Sequence, residues 1–182
     1  ETEELVQQVV AAAEEGNRIL DLCTGSGAIA VAVYKELEKN KRKASVTASD
    51  ISEEALALAK ENAEENGADI AFVQSDLFSR IRGRFDIIVC NPPYIPSGDI
   101  AGLQREVRDF EPRLALDGGA DGLDYYRRIA EDAGKYLVRG GMLVMEVGLG
   151  EAESVVKLFR YCDYSMVVKD FNGIDRFVKI VF

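Results

Sequence analysis

The tetrapeptide Asn91-Pro92-Pro93-Tyr94 brings hydrogen-bond acceptors and a flat ring together and supplies no base. Pro92 disfavours a helical Asn91, and two successive prolines make a stiff extended segment with few N–H donors. Such a segment presents the Asn91 side-chain oxygen and the Pro92 carbonyl, with Tyr94 as an aromatic wall. A planar amino group on an sp2 carbon needs that combination, two acceptors for its two hydrogens and a π surface for its face. The plainer alternative is a proline-rich turn with a buried tyrosine.

A second constellation stands upstream. Asp21-Leu-Cys-Thr-Gly-Ser-Gly27 puts glycines where a strand should run into a helix, so that backbone N–H groups can approach a ligand closely. Gly25-Ser-Gly27-Ala-Ile-Ala30 also fits the dinucleotide pattern GxGxxA, which keeps an NAD-type dehydrogenase in view. Asp21, just ahead of the glycines, would repel a pyrophosphate and suits a ligand carrying an ammonium group. Asp50 is placed for vicinal ribose hydroxyls, and Asp76 to accept a hydrogen bond from an exocyclic amine such as adenine N6. Taken singly, each aspartate could be only a turn or cap residue. Three acids at three adjacent strand ends, with the glycine turn, describe S-adenosylmethionine better than NAD.

The elements that must position these residues alternate strand with helix. A helix with Thr2 as its cap and the stripe Val6, Val9, Val10 and Ala13 comes first. Strands are expected at 18–22, 45–49, 70–74, 85–90 and 142–147, and helices at 28–39, after the Ser52 cap, at 123–137 and at 151–160. Gly140-Gly141 reads as a turn, 95–122 as a long functional loop with short helical turns, and the runs 164–169 and 176–182 as a hairpin around Asn172-Gly173. The expected fold is a Rossmann-like, doubly wound α/β domain spanning residues 1–182. Its seven-stranded sheet is mostly parallel, with an antiparallel C-terminal edge hairpin and the ligand at the carboxyl ends of the strands.

Composition narrows the chemistry. The 182 residues hold 22 Lys and Arg against 32 Asp and Glu, a net charge of −10, which disfavours non-specific binding to nucleic acid or anionic lipid. Histidine is absent, which removes imidazole bases, His-paired nucleophiles and His-containing metal sites. Cys23, Cys90 and Cys162 are far apart, fit a reducing, cytoplasmic setting and form no zinc pattern; Cys90 reads as a buried strand residue. No apolar run approaches the roughly 18 residues of a membrane span. The chain opens at Glu1 without an initiator Met, which suggests a fragment.

Asn91-Pro-Pro-Tyr94 resembles the motif of amino-methyltransferases that act on adenine N6, guanine N2 or the glutamine side-chain amide. The longer resemblance is to the HemK/PrmC family, the protein-(glutamine-N5) methyltransferases of peptide chain release factors. It runs through Asp21-Leu-Cys-Thr-Gly-Ser-Gly-Ala-Ile-Ala30, Asp50-Ile-Ser, Gln74-Ser-Asp-Leu-Phe78, Asn91-Pro-Pro-Tyr-Ile-Pro96, Glu111 to Gly119, Asp121 to Tyr126 and Gly173-Ile-Asp-Arg176, with Glu111 to Tyr126 the most family-specific block. The resemblance implies methylation of the glutamine in a Gly-Gly-Gln loop. S-adenosylmethionine would be held by Cys23, Thr24, Gly25, Ser26, Gly27, Asp50, Ile51, Asp76, Leu77 and Asn91, without a metal. Asn91, Pro92, Pro93 and Tyr94 would hold the glutamine. The implied partner is a release factor, with no nucleic acid, no membrane and no second copy, and the helical N-terminal domain of the family is expected to be absent. Cys23 replaces a frequent glycine. Leu77 replaces a Trp found in some members, so stacking on adenine should become plain apolar contact. The rival readings are a nucleic-acid amino-methyltransferase, which would need a basic groove, the dehydrogenase, and a non-catalytic binding module. Lys39 to Lys43 and Arg80, Arg82 and Arg84 read as solvated loop charges, while Arg105, Arg108 and Arg113 lie nearer the motif and could meet a protein partner.

Overall fold

The apolar runs become the middle of a sheet because residues alternate between its faces and both faces are covered. The computed structural model describes residues 2–182, without the side chains at 106 and 109. Glu1 lies outside the described residues. In chain order the elements are α1 (Thr2–Ala12), β1 (Arg18–Leu22), α2 (Ala28–Lys39), β2 (Ser45–Asp50), α3 (Glu53–Glu65), β3 (Ile70–Gln74) and β4 (Phe85–Cys90). A 3-10 turn (Ile100–Gly102), α4 (Arg105–Phe110) and α5 (Arg113–Leu116) occupy the long connection. There follow α6 (Asp124–Tyr136), β5 (Leu137–Glu146), α7 (Ala152–Val156), β6 (Tyr164–Lys169) and β7 (Asp175–Val181).

The seven strands are ordered β3-β2-β1-β4-β5-β7-β6. The first five run parallel, and β7 lies antiparallel between β5 and β6, as the hairpin pattern requires. Strand order reverses between β1 and β4, which makes their carboxyl ends the switch point. Ile19, Ile87, Val89 and Val144 face α1 and α2 on one side of the sheet. Leu20, Leu22, Ile88, Cys90, Leu143 and Met145 face Tyr126, Ile129 and Ala133 of α6 on the other.

Ser52 caps α3 as expected, its hydroxyl accepting the Ala55 N–H at 3.1 Å. Three local expectations change. Thr2 is the first residue of α1 and not its cap. Gly140-Gly141 does not end an element but sits inside β5, because Gly140 N–H donates to the Phe182 carbonyl and Phe182 N–H to that of Gly141. The ladder with β4 jumps from Phe85↔Leu137 to Ile87↔Met142, so the glycines form a bulge. Finally, α7 stops at Val156, where a helix to Arg160 was expected; the chain continues in turns that bury Phe159.

Candidate active site

Leu22 and Cys90 are register partners in the β1–β4 ladder. The glycine turn and the Asn-Pro-Pro-Tyr segment therefore leave the sheet from the same rung, on strands about 4.8 Å apart.

The turn is tied from beneath. Thr24 N–H donates to the Ser49 carbonyl and Gly27 N–H to that of Thr24, each at 2.9 Å. The Thr24 hydroxyl donates to Asp21 Oδ2 at 2.5 Å, and Ala30 N–H reaches the same oxygen at 3.1 Å. Asp21 is the acid expected to suit a ligand's ammonium group. It is 0 % exposed and folds back under its own turn, where it holds the loop. Its Oδ1 has no hydrogen-bond partner among the described residues. Burial pushes the carboxyl up to about 7 against the bonds from Thr24 and Ala30, with nearby Asp50 adding to the rise.

Cys23 adopts φ 60, the left-handed conformation for which glycine is the usual residue, and packs against the core. The Cys90 thiol is wholly buried, which pushes it well above the ordinary thiol range, with neighbouring Cys23 adding to the rise; Cys90 is the strand residue expected. Gly27 is irreplaceable on two grounds, φ +80 and a would-be Cβ only 2.9 Å from that of Ala59 on α3. Gly25 is different: nothing lies within 4 Å of a Cβ built there, so the turn is open above it. Ser26 is exposed, and its carbonyl accepts from Asn62 Nδ2 at 2.9 Å.

Asp50 accepts one backbone N–H on each oxygen, from Gly25 and from Ser52, both at 2.9 Å. A carboxylate has about four lone-pair sites, so capacity for two ribose hydroxyls remains. Beyond it, Ile51, Gln74, Ser75, Asp76, Ser79 and Arg80 line a cavity of about 170 Å3. Leu77, expected to give apolar contact to a base, is only 6 % exposed and packs with Phe78 and Ile81 in the core. Its φ is 46, and the Ser75 hydroxyl donates to its carbonyl at 2.6 Å. The apolar surface at this edge is Ile51, 43 % exposed.

Across the switch point, Pro92 is buried, and Asn91, Pro93 and Tyr94 are half-buried. Ile95 N–H donates to the Leu116 carbonyl and Gly118 N–H to that of Ile95, at 2.9 and 2.8 Å, which clamps the end of the motif onto the long connection. Asp117 locks that clamp by accepting from the Ser97 hydroxyl at 2.5 Å and from Gly119 N–H at 3.1 Å. A Cβ on Gly118 would come within 2.7 Å of Tyr94 Cα, one on Gly122 within 2.5 Å of its carbonyl, and one on Gly148 within 3.1 Å of its ring. The block at 111–126 thus supplies two of the three glycines against which Tyr94 is fitted. Below the ring lies a residue that sequence reading passed over. Glu146, 3 % exposed at the end of β5, accepts from the Tyr94 hydroxyl at 3.4 Å, while its own carbonyl accepts from Tyr126 at 2.9 Å. A carboxylate ending an otherwise apolar strand was the signal for it.

Taken together, the site offers an open glycine turn above an acid with an unpartnered oxygen, a second acid with spare acceptor capacity, and a small cavity beside a third acid. That donor set fits S-adenosylmethionine, which carries a cationic sulfonium, an ammonium, a ribose diol and an amino-bearing base, and it opposes a pyrophosphate. Among the described residues no group of His, Cys, Asp and Glu could hold a metal ion, and no helix is long and apolar enough to cross a membrane. A larger groove, about 540 Å3, lies at the opposite end of the sheet between Tyr34, Lys41, Lys43 and Asp69 and holds none of these residues.

Residues 2–106 match the protein family described as Methyltransferase small domain. The release factor glutamine methyltransferase of Geobacter sulfurreducens is 46% identical over 182 residues, which cover 98% of this chain and 62% of that protein. The enzyme of the same name from Lactococcus lactis is 41% identical over 184 residues, covering 99% of this chain and 67% of that protein. The chain therefore spans less than two thirds of the Geobacter protein. The crystal structure of a methyltransferase from Pyrococcus furiosus superposes with a TM-score of 0.70 at 16% identity, covering 99% of this chain and 82% of that one, a likeness of fold.

Proposed function

The chain belongs to the methyltransferase small-domain family and, within it, with the release factor glutamine methyltransferases, and on that premise we propose that it N5-methylates the glutamine side-chain amide in the Gly-Gly-Gln loop of a peptide chain release factor. The observation that carries this reading is the shared rung of Leu22 and Cys90, which sets the glycine turn beside the Asn-Pro-Pro-Tyr segment. When bound, S-adenosylmethionine supplies an electrophilic methyl group on sulfur. Gly25 to Gly27, Asp50 and the Asp76 edge would hold it, with Asp21 fixing the turn and placing negative charge beneath the cationic end.

An amide nitrogen is a poor nucleophile because its lone pair is delocalised. The chain has no histidine to remove a proton first, so the work falls to positioning. Asn91 Oδ1 and the Pro92 carbonyl accept the two amide hydrogens and aim the nitrogen. Their bonds strengthen as positive charge builds on it, which favours the transition state over the ground state. Tyr94 packs on the amide plane and excludes water, and the proton leaves to solvent after methylation. Orientation of this kind is worth about 7–11 kcal/mol, against about 1–3 for one hydrogen bond to a charged group. We place the activity in the cytoplasm, with the chain acting as a monomer.

Incubating a release factor with S-adenosylmethionine and this protein, followed by peptide mass spectrometry, should show one added methyl on the Gly-Gly-Gln glutamine. An unmodified release factor alongside a methylated DNA or RNA substrate would overturn the reading in favour of a nucleic-acid amino-methyltransferase. The charge of −10 argues against that outcome.

A further inference from the structure

Asp76, in the wall of the cofactor cavity, is gripped by a residue of α6 to which the sequence reading gave no chemistry. Tyr125 and Arg128 stand one turn apart and so share a helix face, while Tyr126, Ile129 and Ala133 face the core. Arg128 Nη2 donates to Asp76 Oδ1 at 2.7 Å, and its Cζ lies 5.9 Å from the centre of the Tyr125 ring. The three side chains form one unit in which a ring supports a guanidinium and the guanidinium holds a carboxylate. Burial and the neighbouring Cys23 raise the Tyr125 phenol above its ordinary range, with Arg128 opposing, so Tyr125 also lies within electrostatic reach of the glycine turn.

We propose that Arg128 is a specificity-determining residue for the adenine of S-adenosylmethionine, acting by fixing the Asp76 carboxylate so that its free acceptor sites meet the exocyclic amine at the 170 Å3 cavity. This inference rests on the cofactor reading above. An aspartate at a strand end is otherwise loose, because its terminal torsion is broad and roughly two-fold. A guanidinium on one oxygen removes that freedom, and since it only donates, it leaves the carboxylate an acceptor. A base with an amine at C6 is then matched, and one with a carbonyl there sets acceptor against acceptor. The Arg128 and Asp76 side chains are 48 % and 45 % exposed, so the pair does little while water screens it and gains strength when a nucleoside covers it.

Calorimetric titration with S-adenosylhomocysteine and S-inosylhomocysteine tests the proposal. The wild type should prefer the adenosyl compound, and Arg128→Gln should weaken that compound about tenfold while changing the inosyl compound less than about twofold. Arg128→Lys, which keeps the charge and loses the fork, should recover part of the preference. In an Asp76→Ala background, Arg128→Gln should have no further effect. Equal losses for both ligands would reduce Arg128 to general packing, and unchanged affinity for both would remove it from recognition; either result overturns the inference and leaves the cofactor reading standing. A wild type that binds neither compound overturns both.

Discussion

The Tyr94 hydroxyl donates to Glu146 at 3.4 Å, joining the ring of the Asn-Pro-Pro-Tyr segment to a carboxylate that is 3 % exposed. A bond of that length adds little to stability by itself; in the proposed mechanism it helps orient the ring against which the amide would lie. Tyr94→Phe keeps the ring and loses the tether, and Glu146→Gln keeps the shape and loses the charge. Each should lower methyl transfer several-fold with S-adenosylmethionine affinity nearly unchanged, and the double variant should be no worse than the poorer single one. Turnover and binding assays on all three check this; additive losses would show that the two side chains act independently.

Asn91→Ala should retain S-adenosylmethionine binding within a modest factor and lose methyl transfer by roughly a hundredfold or more, because the amide loses an acceptor and its aim while the turn at Cys23 to Gly27 is untouched. Calorimetry paired with a methylation assay on a release factor reads both quantities, and near-normal turnover would remove the acceptor role.

Asp21 gives a pH prediction. Its folded-state value of about 7 lies above the ordinary 3.8, so between these pH values the folded chain keeps a proton that the unfolded chain has released. This contribution to stability is full below the ordinary value and is lost as pH rises through about 7. Asp21→Asn removes the slope. Between pH 5 and 8 the variant should gain roughly 2–3 kcal/mol on the wild type in urea denaturation. A parallel pH dependence in the two proteins would contradict the assignment. The same ionisation should make a cationic ligand bind more tightly above pH 7 than below it.

Gly118→Ala drives a methyl group to within 2.7 Å of Tyr94 Cα and 2.8 Å of the Gly122 carbonyl, both backbone atoms. The segment must shift, at about 1–3 kcal/mol of stability, and Tyr94 shifts with it. Thermal denaturation should show the loss, and turnover should fall by more than the stability change alone accounts for.

Much of this was readable in the chain. The runs at 18–22 and 85–90 are apolar because both sheet faces are covered, and Ser52 announces α3 because its hydroxyl completes the cap. What escaped depends on contacts distant in sequence. Gly140-Gly141 looks like a turn until Phe182 pairs with it. Asp21 and Leu77 stand where ligand-facing residues are expected, yet one folds beneath its own turn and the other into the core. Glu146 and Arg128 acquire roles only when Tyr94 and Asp76, each 52 residues away along the chain, are brought to them. The block at 111–126 stood out by resemblance, but its purpose, glycines fitted against Tyr94, required the packing.

The common rung of Leu22 and Cys90 makes the gap between the glycine turn and the Asn-Pro-Pro-Tyr segment a lattice spacing of the sheet. Backbone hydrogen bonds set that spacing, so surface substitutions along 95–122 cannot stretch it. On the proposed function, that connection can therefore vary in sequence while the distance between the glycine turn and the Asn-Pro-Pro-Tyr segment stays constant.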